Sequence, residues 1–166
     1  MGPILRRLSF LFLVVTLALL FSGQALAGAI QLPQTGQTTC YASTGDIIPC
    51  SGTGQDGALR MGVAWPNPRF NASGDCVTDN LTGLMWAKNA NLINSQWTWQ
   101  GALDFAMGLS LCGYSDWRLP NINELESLGD RDRSNLALWL NTQGFANVQP
   151  VYYWSSTSQA SNPSRV

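Results

Sequence analysis

The residues of this chain that could do chemistry are four cysteines, an adjacent serine pair, two neighbouring glutamates and an arginine close to them, with no histidine to assist any of them. Histidine is the commonest general base and metal ligand, and its absence removes both roles at once. Ser155 and Ser156 therefore have no imidazole to activate them as nucleophiles. Glu124 and Glu126 lie two apart on an expected helix and point to different sides, so they do not form a catalytic pair. Cys40, Cys50, Cys76 and Cys112 lack the C-x-x-C spacing of a metal site. No catalytic residue, metal or cofactor is expected. An even number of cysteines in an exported chain argues for disulfides. Of the three possible pairings the expectation is Cys40–Cys50, around a Thr44-Gly45-Asp46 turn, and Cys76–Cys112. Arg118 is expected to pair with Asp116 or Glu124.

Without a catalytic set, the remaining functional class is binding, and the aromatic residues are the natural contacts. Seven tryptophans are present: Trp65, Trp86, Trp97, Trp99, Trp117, Trp139 and Trp154. Aromatic burial stabilises cores strongly, so Trp86, Trp117 and Trp154, each in a strand-like block, read as core. Trp97 and Trp139 sit in polar surroundings and read as exposed. The candidate ligand-binding set is Trp97, Trp139, Arg118, Trp154 and Ser155, with Trp154 kept in it despite its core-like block.

The elements that must position these residues follow from periodicity and punctuation. Cys76–Lys88 reads as a hairpin turning at Asp79-Asn80-Leu81-Thr82-Gly83. Thr98 caps a helix whose apolar stripe is Ala102, Leu103, Ala106 and Leu109, with Gly113 as a stop signal. Trp117-Arg118-Leu119 reads as a short strand ended by Pro120. Asn121 and Glu124 form a capping box for a second helix, with Ile122, Leu125 and Leu128 facing the core and Gly129 closing it. Ser134–Pro150 reads as loop with one turn near Leu136–Leu140, and Val151–Ser155 as a strand. Asn71-Ala72-Ser73 and Asn80-Leu81-Thr82 match the glycosylation sequon, which a bacterial-type export signal makes idle. Leu32-Pro33-Gln34-Thr35-Gly36 spells a sortase pattern far from the C-terminal position such a signal needs, and reads as coincidence.

The N-terminus sets the compartment. Arg6 and Arg7 precede an apolar run from Leu8 to Phe21, and Ala25-Leu26-Ala27 supplies a small-x-small cleavage site before Gly28. Residues 1–27 read as a cleaved secretory signal, which places the rest in the periplasm, at the cell surface or outside, with no membrane attachment after cleavage. Nine basic residues face ten acidic ones. Arg6 and Arg7 leave with the signal, so the mature chain carries three more negative than positive charges. Nucleic-acid binding needs clustered positive charge and is excluded as an expectation.

Several blocks together resemble a known family. They are Leu32–Tyr41, Gly52–Gly57, Val77-Thr78-Asp79-Asn80-Leu81-Thr82-Gly83-Leu84-Met85-Trp86, Thr98-Trp99-Gln100 with Ala102-Leu103, Asp116-Trp117-Arg118-Leu119-Pro120-Asn121 with Glu124-Leu125, and Tyr152-Tyr153-Trp154-Ser155-Ser156-Thr157. In this order they are similar to the C-terminal domain of the Legionella collagen-like adhesin. The resemblance implies an α+β, C-type-lectin-like scaffold with two helices against a small, mostly antiparallel sheet and a loop-rich binding face. It also implies a non-catalytic surface role, with a polysaccharide or cell-surface glycan as partner. The adhesin domain is associated with sulfated polysaccharides, and the same scaffold includes sulfatase-activating oxidases, whose reactive cysteines have no counterpart here if all four are paired. This chain lacks the collagen-like repeat and stops where relatives continue, so a fragment with an open strand edge at Tyr152–Ser155 is the competing expectation. The expected organisation is a signal at 1–27, an irregular disulfide-clipped lead-in at 28–60, the domain at 61–157 and a polar tail at 158–166.

Overall fold

A computed structural model describes residues 32–158. The expected cleavage site at Ala27–Gly28 and the tail beyond 158 lie outside the described residues. The elements run β1 (Cys40–Tyr41), β2 (Ile47–Ile48), α1 (Asp56–Leu59), β3 (Phe70–Ser73), β4 (Cys76–Asp79), β5 (Met85–Ala87), α2 (Trp99–Gly108), α3 (Ile122–Ser127) and α4 (Leu136–Thr142). The class is α+β, with four helices among the described residues where the resemblance implied two.

Both sheets are antiparallel and built from local hairpins: β1 with β2, and β3-β4-β5 in sequence order. The first turn centres on Ser43-Thr44, the Gly45 amide donating to the Ala42 carbonyl at 2.9 Å; Gly45 follows at φ 90° and the Ala42 amide donates to the Asp46 carbonyl at 2.8 Å. A glycine serves there because a Cβ disfavours positive φ. β4 and β5 form the hairpin expected from sequence. β3 is an addition to that expectation: its polar Asn71-Ala72-Ser73 stretch carries no strand pattern, yet a two-residue Gly74-Asp75 turn folds it onto β4, Ser73 opposite Cys76. Likewise the expected irregular lead-in contains β1, β2 and α1.

Sulfur bonds join Cys40 to Cys50 and Cys76 to Cys112, the pairs suggested by the sequence. The second links the sheet to the turn after α2, and a closed loop of this kind contributes about 2–4 kcal/mol by restricting the unfolded chain.

The core is Phe70, Val77, Leu128, Leu140 and Phe145, with Trp86, Leu125, Trp139 and Val148 packed against it. Phe70 meets Phe145 and Trp139 edge-on at centroid distances of 5.2 and 6.0 Å, the geometry aromatic quadrupoles favour. Beside this cluster Arg69 is buried between the Trp65 ring, 4.1 Å away, and the Phe70 ring, 4.6 Å away. Its Nε and Nη2 donate to the fully buried Asp79 at 3.2 and 3.0 Å.

Four further expectations are corrected. Trp117–Leu119 is not a strand: Pro120 removes a donor and the Arg118 side chain bonds the adjacent Leu119 carbonyl at 3.2 Å. Val151–Ser155 is not a strand either, so the open strand edge expected there does not form; the Ser155 carbonyl accepts from the Trp99 indole instead of from a neighbouring strand. α2 ends at Gly108, where Leu109 turns extended at φ −72°, ψ 133°, and Gly113 instead serves the tight Leu111–Tyr114 turn. At the start of α3, Ile122 is exposed; Leu125 and Leu128 carry that helix's packing.

Candidate functional site

Two helix N-termini frame the site, and local sequence fixes both. The Thr98 hydroxyl accepts from the Gly101 amide at 3.2 Å, capping α2. At α3 the Asn121 side chain accepts from the Glu124 amide at 2.9 Å while Glu124 accepts from the Asn121 amide at 2.8 Å. This reciprocal box satisfies donors that a helix start leaves free.

The segment Tyr153–Thr157 lies across both ends. The Trp154 indole donates to the Trp97 carbonyl at 2.8 Å, and the Trp99 indole donates to the Ser155 carbonyl at 2.9 Å. The Ser156 amide donates to the Pro120 carbonyl at 2.8 Å, and the Ile122 amide to the Thr157 hydroxyl at 3.1 Å. Indole N–H groups and helix-entry backbone thus replace a sheet ladder in holding an extended chain.

Arg118 grips Glu124 with two parallel hydrogen bonds, at 2.7 and 2.6 Å; Asp116 is not its partner in the recorded ion pairs. The guanidinium, aided by the Asn121 amide, holds the Glu124 carboxyl down at about 2, and the same pair raises Arg118 above its ordinary value. A depressed carboxylate stabilises the fold above its unfolded pKa, and that contribution fades as pH falls toward the folded value. The pair therefore stays ionised throughout the neutral range, and Glu124 balances the Arg118 charge.

The five candidate binding residues divide. Trp97, Arg118, Trp154 and Ser155 gather around the two helix starts. Trp139 does not: it is half-buried beside Trp65 and Phe70, with centroids 6.0 Å from each. Its position in α4 (Leu136–Thr142), within the apolar run Leu136–Leu140, turns inward a ring that the sequence reads as exposed. Trp154, read as core, is 38 % exposed, and Trp97 is 40 % exposed. Ser155 is buried, its hydroxyl engaged with Thr157 at 3.3–3.4 Å, so it positions the segment and presents nothing to a ligand. Sequence reading missed Trp99 as a pin, because its bond to Ser155 spans the chain and leaves no local signature. Tyr153 was missed as well; its hydroxyl accepts from the Gln149 amide at 2.8 Å. Among the described residues no group of acidic, cysteine or histidine side chains could hold a metal.

A disulfide-stapled α+β module with an exposed aromatic face is thus the class this structure defines. The chain belongs to the Lcl C-terminal domain family, whose model matches residues 75–166. Comparison with curated proteins and with solved structures returned no match.

Proposed function

We propose that this chain is an exported, non-catalytic binding module with a C-type-lectin-like scaffold, whose partner is an extracellular polysaccharide or cell-surface glycan. The observation that carries this reading is the pair of exposed indoles, Trp97 and Trp154, held to each other by a hydrogen bond at the helix starts. Aromatic rings with one apolar face and a fixed polar edge suit ligands that are partly apolar and partly hydroxylated. All four cysteines are in disulfides, which leaves no thiol for oxidase chemistry, and Glu124 is committed to Arg118. Among the described residues no helix is long and apolar enough to cross a membrane.

The binding test is a glycan panel at low and at high salt. Stacking and hydrogen bonding predict affinities that change little as salt rises, because only exposed charges feel a screening length of about 8 Å. Tight binding to a heparin-like polymer that vanishes in salt would contradict the reading and direct mutagenesis to the exposed Arg60, Arg131 and Arg133, since Arg69 is buried against Asp79. For export, N-terminal sequencing of the secreted protein is expected to start at Gly28; retention of Met1 would refute cleavage.

A further inference from the structure

Trp97 is backed on one side by its own helix. A Cβ on Gly101 would lie 3.0 Å from Trp97 Cε3 and 3.6 Å from Cζ3, so the indole rests over the first turn of α2 in space a side chain would fill. Phe105, one turn further, meets the same ring edge-on at 5.6 Å. The indole N–H is fixed by the Ser95 hydroxyl at 3.1 Å. A ring braced in this way loses little conformational freedom when a ligand covers its open side, which favours binding. Trp97 precedes the Thr98 cap and its ring rests on the row of α2 that carries Gly101 and Phe105. Gln100 and Asp104 form the adjacent i,i+4 row of the same helix; both are exposed, and the Gln100 amide donates to Asp104 at 2.8 Å. That bond orients the Gln100 carbonyl and the second Asp104 oxygen as acceptors for hydroxyl donors.

Charge selects among ligands. Asp104 is the only charged residue in α2, and the Arg118 charge is balanced by Glu124. A face with a net carboxylate repels sulfate and uronate, while an aromatic platform with two hydroxyl acceptors matches an uncharged sugar ring. We infer that Trp97, Gln100 and Asp104 form a subsite for a neutral pyranose glycan with equatorial hydroxyls, its C–H face stacked on Trp97. This rests on the binding-module reading and adds the ligand class and the residues that recognise it.

The test is calorimetry on the exported chain with cellohexaose and laminarihexaose as neutral probes and a heparin hexasaccharide as the charged one. At least one neutral probe is expected to bind, with Trp97→Ala weakening it by about tenfold, the equivalent of 1.4 kcal/mol. Gln100→Ala and Asp104→Ala, both on the surface, are each expected to weaken it by about fivefold, as for a lost hydrogen bond. Gly101→Ala is the discriminating variant. Its Cβ would come within 3.0 Å of the Trp97 ring and 3.2 Å of the Thr98 cap hydroxyl, so binding should fall, and binding is measured at a temperature where the variant's own thermal denaturation curve shows it fully folded. Binding of a neutral probe unchanged by all four substitutions overturns the subsite and leaves the module reading standing. Binding of the heparin probe in preference to both neutral ones also overturns it. Binding of neither class by the folded chain removes the module reading as well.

Discussion

Asp79→Ala is expected to destabilise the domain by about 3–5 kcal/mol, because it strands a buried guanidinium without its counter-charge. A domain of this size is stable by about 5–15 kcal/mol in total, so the variant should populate the unfolded state at modest denaturant. Asp79 does more than neutralise Arg69. It also accepts from the Leu81 amide at 3.0 Å and the Thr82 hydroxyl at 3.1 Å, which shape the β4–β5 turn. Arg69 in turn donates to the Ser127 carbonyl at the end of α3. Its Nη1 makes no hydrogen bond among the described residues. Burial of a pair that is incompletely satisfied gives little net stability over an apolar pair, while losing one partner is costly. Arg69→Met combined with Asp79→Ala should therefore be milder than the sum of the single changes. Urea denaturation of the two single variants and the double variant measures this cycle. A loss below about 1 kcal/mol for Asp79→Ala would show that water reaches the pair and that its burial is not decisive.

What could be read from the sequence was local. The caps at Thr98 and Asn121, the β4–β5 turn and the two disulfides each depend on residues close together or on an even cysteine count, and each is present in the structure. The strand β3 escaped because its polar residues become a strand only through pairing with β4. The aromatic assignments failed in a reciprocal way: Trp139, read as exposed, packs inward within the apolar run Leu136–Leu140, while Trp154, read as core, stays exposed. Burial of a large ring is decided by what folds over it, and that information is distant in sequence. The sortase-like stretch makes the same point. Gly36 has φ +87°, and a Cβ there would come within 2.6 Å of the Asp130 carboxylate and 2.7 Å of the Trp65 ring. Its glycine is needed for close approach within the fold, a reason no motif comparison supplies.

A truncated chain covering only the family-matched residues 75–166 is expected not to fold cooperatively. The match starts within the β3–β4 turn, so truncation removes β3 and with it Phe70, one of five buried core residues. It also removes Arg69 and leaves Asp79 as an unpaired buried carboxylate, with the large penalty argued above. The lead-in is stitched to the rest at several further points. The Arg131 amide donates to the Thr35 carbonyl at 3.0 Å, and Asp132 accepts from the Thr39 amide at 3.0 Å and the Thr38 hydroxyl at 2.5 Å. Those bonds, Thr38 foremost, hold the Asp132 carboxyl below its ordinary value. Trp65, whose indole donates to the Gln34 carbonyl at 2.7 Å, covers Trp139 on its outer side. Removing a Phe from a core alone costs about 3–5 kcal/mol, and the combined losses exceed what a marginally stable domain holds in reserve. The comparison is between chains starting at Gly28 and at Asp75, both exported and oxidised, followed by near-ultraviolet circular dichroism and urea titration. A sigmoidal transition in the longer chain and a flat response in the shorter one are expected. A cooperative transition in the chain starting at Asp75 would show that the sheet closes without β3 and that the lead-in is an appendage.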